Sequence, residues 1–263
     1  MQLDTQSLAQ PKTGSLFRVL VIGATGTIGQ AAVRALLRRG HEVVCFVRPH
    51  AGGKGKLSPV DSTKLFPGAV VRFGDVCHAT SLARDGFCGE RFDVLVSCLA
   101  SRTGTPEDAW AIDHDAHVLA LAAAKSAGVT QVVLLSAICV QKPLLAFQQA
   151  KLAFEKALIE SGLTYSIVRA TAFFKSLSGQ VERVKAGKPF LIFGNGTLTA
   201  CKPISDDDLG DFLAGCIYDL SRHNQILPIG GPGEAITPRQ QGERLFELLG
   251  KPPRFKQIGR AHV

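Results

Sequence analysis

The chain has 263 residues, of which 46% are hydrophobic, and a formal net charge of +8 at pH 7. This length and hydrophobic content suffice for one large core, or a core with a small second lobe, and exclude an intrinsically disordered chain. The Lys and Arg residues are scattered rather than striped, and one Trp and two Tyr offer few rings for base stacking, so an anionic small ligand is favoured over nucleic acid.

The seven Cys residues include no CxxC pair, and several lie inside apolar runs such as VVCFV and LVSCLA. This pattern indicates reduced thiols in a core or pocket, and we expect no disulfide framework and no metal site. No apolar run reaches the roughly 18 residues of a membrane span. Residues 1–15 are polar and lack the apolar centre of a signal peptide, so we expect a short disordered leader, with any organelle transit peptide removed upstream.

The first predicted elements are a strand, a glycine-rich turn, a helix and a second strand. Residues 16–22 (LFRVLVI) are a continuous apolar run of strand length, and residues 23–29 (GATGTIG) follow as the turn. Helix-forming residues extend over 30–39, and residues 42–47 (EVVCFV) have the pattern of the next strand. This succession is typical of a Rossmann-type dinucleotide-binding domain.

The glycines of the turn have separate expected roles. Gly23 permits the tight turn, Gly26 lets backbone amides approach a pyrophosphate, and Gly29 lets the helix pack closely on the strand. The helix N-terminus then faces the negative charge of the cofactor. The cofactor-binding residues expected in this turn are Gly23, Thr25, Gly26, Thr27, Ile28 and Gly29.

The spacing GxxGxxG resembles the extended and atypical short-chain dehydrogenase/reductase superfamily. An acidic residue at the tip of the second strand would bind the ribose 2′-hydroxyl of NAD, but Arg48 stands there, with Lys54 and Lys56 soon after. A guanidinium matches a 2′-phosphate, so NADPH is favoured, the alternative being that Arg48 is a solvated loop charge. In the superfamily an Asp after the third strand approaches the adenine amino group, and the resemblance gives this role to Asp75.

Further strands alternate with helices along the chain. Strands are predicted at 70–73, 93–99, 132–135 and 164–169, and an amphipathic helix at 110–127. This rhythm indicates an α/β fold with a Rossmann-type parallel sheet flanked by helices. Leu99 and Ala100, at the end of the fourth strand, are expected to contact the cofactor at the carboxyl edge of the sheet.

The expected catalytic residues depart from the superfamily pattern. Standard short-chain reductases use a Ser after the fifth strand and a Tyr-x-x-x-Lys on the next helix, and this chain has Ser136 and Lys151 but Phe147 at the Tyr position. Because a phenyl ring cannot donate a proton, carbonyl reduction by the standard Tyr is disfavoured. Lys151 is expected to bind the ribose and assist proton delivery, the alternative being a surface lysine. A conjugated carbon–carbon double bond would suit a site without this Tyr.

The second half of the chain is predicted to form a smaller substrate lobe. We expect a Rossmann domain over 16–170 and the lobe over 171–257, with a helix at 179–187, a strand at 189–193, a helix capped by Ser205 that runs to 220, and a helix from Pro238 to about 250. The residues expected to contact a flat aromatic substrate are Phe147, Phe173, Phe174 and Lys175. For the two phenylalanines of the lobe, a plain core role is an equally good interpretation.

Six stretches resemble the divinyl chlorophyllide a 8-vinyl-reductase family of the NADPH-dependent type: VSCLASRT (96–103), LLSAICVQKPLL (134–145), FQQAKLAF (147–154), TYSIVRATAFFKSL (164–177), ACKPIS (200–205) and LPIGGPGEAIT (227–237). The resemblance extends over residues 17–257. It implies reduction of the 8-vinyl group of a tetrapyrrole chlorophyll precursor to ethyl. It also implies the chloroplast stroma of a plant or alga, or bacterial cytoplasm, and is compatible with peripheral thylakoid association.

The last six residues, 258–263 (IGRAHV), match the translation of a common sequencing adapter in one reading frame. We therefore expect that native sequence ends near Lys256, that part of the second lobe is absent, and that His262 has no catalytic role. Genomic sequence that encodes these six residues before a stop codon would contradict this expectation.

Two other functions stay open at this point. The tyrosine-less Lys pattern is shared with ether and isoflavone reductases, so the chain could reduce another aromatic or quinone-like substrate. A non-catalytic NADP-sensing regulator of the NmrA-like kind would have the same turn. Phe147 does not separate the enzyme from the sensor, whereas the VSCLASRT and AICVQKPLL stretches favour the enzyme.

Overall fold

The computed structural model describes residues 16–50 and 58–259. The predicted leader, Lys54, Lys56 and His262 lie outside these residues. The main sheet has seven parallel strands in the order β3-β2-β1-β4-β5-β6-β8, which confirms the predicted Rossmann-type α/β fold. Its strands are β1 (Arg18–Ile22), β2 (Glu42–Val47), β3 (Val70–Phe73), β4 (Val94–Ser97), β5 (Gln131–Ala137), β6 (Thr164–Ala170) and β8 (Gln225–Ile229).

The inner strands β1, β2 and β4 are almost wholly buried and apolar because helices cover both faces of the sheet. In β1, Val19 and Val21 point into one core and Leu20 and Ile22 into the other, and all four are fully buried. One core is closed by α1 (Thr27–Arg38) and α9 (Asp206–Gly215), the other by α5 (Ala116–Ser126) and α6 (Ala146–Ile159).

Most of the remaining elements are short. They comprise the helices α2 (Pro59–Lys64), α3 (Ala79–Ser81), α4 (Pro106–Ala109), α7 (Phe174–Leu177), α8 (Val181–Lys185) and α10 (Pro238–Leu248), and the strands β7 (Phe190–Phe193) and β9 (Phe255–Ile258). Two π-helical turns (Leu82–Phe87 and Trp110–Asp115) and three 3₁₀ turns (Ile138–Gln141, Ser178–Gln180 and Leu220–Arg222) join them. No helix among the described residues combines the length and the hydrophobicity that crossing a bilayer demands.

Residues 171–257, predicted as a second lobe, belong partly to a small separate sheet and partly to the main sheet and its helices. β7 and β9 pair in a separate two-stranded parallel sheet that packs with α10 around Phe190, Ile192 and Phe246. In contrast, α9 packs on α1, and β8 extends the main sheet beside β6. The chain therefore leaves the main sheet after β6, returns to it through α9 and β8, and leaves it again.

Several boundaries differ from those predicted. The helix predicted over 110–127 begins earlier, as α4, passes through a π-helical turn and continues as α5. The helix capped by Ser205 is present, and the Ser205 hydroxyl accepts a hydrogen bond from the Asp208 amide, but α9 ends at Gly215 rather than 220. The helix predicted over 179–187 is only a 3₁₀ turn and the short α8.

Candidate functional site

A cavity of about 310 Å³ opens at the carboxyl edge of the main sheet, between the glycine turn, the ends of β4 and β5, and α6. The predicted site residues that line it are Gly26, Thr27, Ile28, Gly29, Leu99, Ala100, Ser136, Lys151 and Phe173. Three further lining residues, Cys98, Leu135 and Ala137, were not predicted. The topology thus brings together residues that are up to 147 positions apart in the chain.

The three glycines of the turn face different surroundings. Gly23 has φ +74°, and a Cβ there would lie 2.4 Å from the Cys98 carbonyl carbon. At Gly29 a Cβ would lie 2.2 Å from the Gly23 carbonyl oxygen. At Gly26 the nearest atom to such a Cβ is the same oxygen, at 3.3 Å. Gly23 and Gly29 are therefore required by packing, whereas a Cβ at Gly26 would meet one tight contact, and Gly26 itself lines the cavity.

The N-terminus of α1 fits an anionic group. Gly26 is the N-cap residue, no side chain caps the helix, and its first turn contains no acidic residue. The first amide groups of a helix, together with its dipole, favour a negative charge at this position. Because Gly26 also lines the cavity, the residues present fit the pyrophosphate of a dinucleotide.

Arg48 and Asp75 follow neighbouring strands of the same sheet edge, after β2 and β3. Neither lines the cavity. Burial raises the pKa of Asp75, but hydrogen bonds from the Cys77 amide and from His78 outweigh it and hold the pKa below its usual value. Arg48 is exposed. In the loop after β4, burial and next the positive charge of Arg48 lower the pKa of Arg102, which indicates that the two side chains are near each other.

Ser136 lines the cavity at the end of β5, but its hydroxyl proton is engaged on the protein side. The Ser136 Oγ donates to Glu155 Oε1 at 2.5 Å, and Glu155 also pairs with Arg169 Nη2 at 2.5 Å. Glu155 is 2% exposed. Ser136 is therefore part of a buried network, and its hydroxyl proton is directed away from the cavity.

Lys151 lies on α6 with its side chain only 12% exposed. Its Nζ is 2.9 Å from Asp113 Oδ1. The other carboxylate oxygen, Asp113 Oδ2, accepts a hydrogen bond of 2.6 Å from the Ser101 hydroxyl. A surface role for Lys151 is therefore wrong, because the ammonium group lies in the wall of the cavity and pairs with a buried carboxylate.

His117 packs behind Lys151. Desolvation, and next the charge of Lys151, lower the pKa of His117 to about 4. Its Nδ1 lies 2.8 Å from the Ile112 carbonyl oxygen, and its Nε2 lies 2.8 Å from Ser97 Oγ. The imidazole is thus neutral near pH 7, with Nδ1 as the donor to the carbonyl group.

The four predicted substrate contacts are not gathered in one place. Phe173 lines the cavity. Phe174 is 55% exposed and so is not a core residue, and Lys175 is exposed beside it. Phe147 is half-buried in the first turn of α6, four residues before Lys151, and does not border the cavity.

The comparisons with known proteins agree with this geometry. Residues 23–219 match the NAD(P)H-binding family. The chain belongs to the NAD(P)H-binding family. A structure of an NADPH-dependent quinone oxidoreductase from Escherichia coli in complex with NADPH superposes with a TM-score of 0.71, covering 92% of this chain and 78% of the other at 19% identity. At that identity the likeness concerns the fold.

Two plant proteins are more similar in sequence to this NAD(P)H-binding chain. The divinyl chlorophyllide a 8-vinyl-reductase, chloroplastic, of Cucumis sativus is 51% identical over 261 residues, which is 97% of this chain and 62% of that protein. The protein of the same name from Oryza sativa subsp. indica is 51% identical over 258 residues, covering 96% and 63%. The chain thus spans less than two thirds of these relatives, and the resemblance predicted from the sequence is confirmed.

Sequence reasoning missed the charged partners of the predicted residues. The fold brings Asp113 to Lys151 and Glu155 to Ser136. The sequence carries one usable signal, since Glu155 follows Lys151 by four positions and so shares its face of α6. Asp113 carries none, because it lies within a helix that looks regular in sequence but contains a π-helical turn.

Proposed function

We propose that this protein catalyses the NADPH-dependent reduction of the 8-vinyl group of divinyl chlorophyllide or protochlorophyllide to ethyl. The observation that carries the proposal is the 51% identity with the plant vinyl reductase over 97% of the chain. The cavity supports it, because a nicotinamide ring there would lie between the glycine turn and Lys151, with Phe173 on the wall.

NADPH, rather than NADH, is the proposed cofactor. Arg48 follows β2, where the ribose 2′-position of a dinucleotide lies in Rossmann-type folds. Its guanidinium can form charge-assisted hydrogen bonds with a 2′-phosphate. Arg102 lies near it and adds positive charge. We assign the adenine amino group to Asp75, whose lowered pKa keeps it an acceptor.

The bound cofactor would supply a hydride, and the reaction requires one proton besides. The first turn of α1 binds the pyrophosphate, and Lys151 donates hydrogen bonds to the ribose next to the nicotinamide. Phe173, Leu99 and Leu135 give the cavity an apolar wall against which a flat ring can pack. Because negative charge on the vinyl group spreads into the macrocycle, a proton from solvent suffices, and a phenol at position 147 is not needed.

Phe174 and Lys175 are proposed substrate contacts at the entrance. Both are exposed next to Phe173, so they can meet the face and the carboxylate of a flat macrocycle. We place the protein in the chloroplast, as the names of the plant relatives suggest, and in the stroma there. A substrate this apolar makes peripheral contact with thylakoid membranes reasonable.

The direct test is to incubate the protein with NADPH and divinyl protochlorophyllide and to follow the Soret band. A blue shift that requires NADPH, with formation of the 8-ethyl product, is expected. Binding of NADPH without any shift would instead favour a cofactor-sensing regulator. A shift only with other conjugated substrates, such as quinones, would favour another reductase of this superfamily.

A further inference from the structure

The buried carboxylate of Asp113 has no part in the function proposed above. It lies in the π-helical turn Trp110–Asp115, and its side chain is fully buried. A π-helical turn is an uncommon local feature that concentrates at functional sites. Burial of an ionised carboxylate is costly unless it is paired and hydrogen-bonded. The buried carboxylate of Asp113 therefore depends on the groups that pair with it.

Asp113 joins two walls of the cavity. Its Oδ1 pairs with Lys151 Nζ at 2.9 Å, on α6. Its Oδ2 accepts the 2.6 Å hydrogen bond from the Ser101 hydroxyl, and Oδ1 also lies 3.3 Å from the Ser101 amide. Ser101 directly follows Leu99 and Ala100, which line the cavity on the side of β4. The three residues form one continuous chain from the β4 loop to α6.

Other groups near Lys151 cannot replace this carboxylate. His117 is neutral, and both of its ring nitrogens have partners. Both oxygens of Glu155 are engaged by Ser136 and Arg169. The gap between Lys151, His117 and Asp113 has no volume for a water molecule. Across the described ranges, Asp113 is the one carboxylate within 4.0 Å of Lys151 Nζ.

We propose that Asp113 is a positioning residue for Lys151. Its carboxylate, oriented by Ser101, holds the ammonium group in one position at the cavity wall and balances its charge in apolar surroundings. Lys151 is thereby ready to donate to the ribose without first being ordered when the cofactor binds. This inference rests on the proposed role of Lys151 in cofactor binding and not on vinyl reduction.

The test is a double-mutant cycle on NADPH affinity, measured by nicotinamide fluorescence titration. Asp113→Asn is expected to raise the dissociation constant at least 10-fold in the otherwise unchanged protein. When Lys151→Met is also present, the same substitution should change it less than 2-fold, because the residue it acts through is gone. Asp115→Asn, an exposed neighbour on the same turn, is the matched control and should leave the dissociation constant unchanged.

A purely structural role predicts a different pattern, in which Asp113→Asn weakens binding equally with and without Lys151. That result, or an unchanged dissociation constant for Asp113→Asn, would overturn the inference. If Asp113→Asn does not fold, Ser101→Ala keeps the ion pair and should raise the dissociation constant 2- to 5-fold, again only when Lys151 is present; no change would overturn the inference. If Lys151→Met itself leaves NADPH affinity unchanged, the proposed role of Lys151 fails instead.

Discussion

Arg48 is the residue on which the proposed preference for NADPH depends. Its side chain is exposed after β2, so its removal costs little in packing. Arg48→Ala should weaken NADPH binding about 10- to 100-fold, the equivalent of roughly 1.5 to 3 kcal/mol for hydrogen bonds to a charged group. NADH binding should change little, because NADH has no 2′-phosphate. Titration of NADPH and NADH into the Arg48→Ala protein and into the surface control Arg244→Ala measures both affinities. Equal losses of affinity for the two cofactors would show that Arg48 does not determine the preference for NADPH.

Phe147 marks the departure from tyrosine-dependent reductases. Phe147→Tyr should not raise turnover, because the ring does not border the cavity and protonation of the macrocycle needs no phenol there. Because the Phe147 ring is half-buried, the added hydroxyl group should lower the stability of the folded protein only slightly. Single-turnover rates for Phe147→Tyr and for the exposed control Phe193→Tyr should both match the unaltered protein. A large gain at Phe147 alone would mean that the active site is built as in the standard enzymes.

Two glycines at the start of α1 have different proposed roles: Gly26 in cofactor binding and Gly29 in packing. Gly26→Val should abolish NADPH binding and leave the fold intact, because the added methyl groups enter the space proposed for the pyrophosphate. Gly29→Val should lower the melting temperature strongly, because its Cβ would lie 2.2 Å from the Gly23 carbonyl oxygen. Thermal unfolding and NADPH titration of the two variants distinguish these effects. A Gly26→Val protein that still binds NADPH would exclude the turn from the site.

Elements with a local signal could be predicted from the sequence. The apolar run of β1, the glycine turn and the Ser205 cap all depend on neighbouring residues, and the structure confirms them. β8 was missed because Pro228 lowers its strand propensity, and a proline is tolerated there since β8 is at the edge of the sheet. β9 was missed because its pairing with β7 depends on a distant strand.

The candidate site could be predicted only in part for the same reason. Ser136 and Lys151 are identified by the resemblance to the superfamily pattern, and both line the cavity. The buried charges that hold them, Asp113 and Glu155, come from pairings across the fold. No local pattern specifies such a partner, so a direction for the Ser136 hydroxyl could not be inferred before the structure.

On the scale of the whole molecule, the late part of the chain completes the early part. α9 packs on α1 so closely that a Cβ at Gly210 would lie 2.6 Å from the Ala31 carbonyl carbon. β8 pairs with β6 along five residues. The nucleotide-binding half therefore depends on residues beyond 170 for its core, and a boundary between two independent folding units at that position is not supported by this packing.

Two buried histidines are expected to make the stability of the folded protein depend on pH. His117 has its pKa lowered to about 4, chiefly by desolvation. His41 contacts Phe17, just before β1, and Tyr218, just after α9, and burial together with Arg39 lowers its pKa as well. Both groups are neutral in the folded protein near pH 7, whereas in the unfolded chain they titrate near pH 6.5. Below that pH the unfolded state therefore binds more protons than the folded state.

We expect the free energy of unfolding to fall as the pH is lowered from about 6.5 towards 4, and to be fully regained above the unfolded pKa. His117 alone accounts for roughly 3 kcal/mol across that window. Urea unfolding between pH 7.5 and 5.0 measures the slope, in a range where most carboxylates remain ionised. His117→Asn, which keeps a donor for the Ile112 carbonyl group, should reduce the slope, and the exposed control His50→Asn should not. A slope that is the same in all three proteins would show that His117 takes up a proton in the folded state as readily as in the unfolded chain.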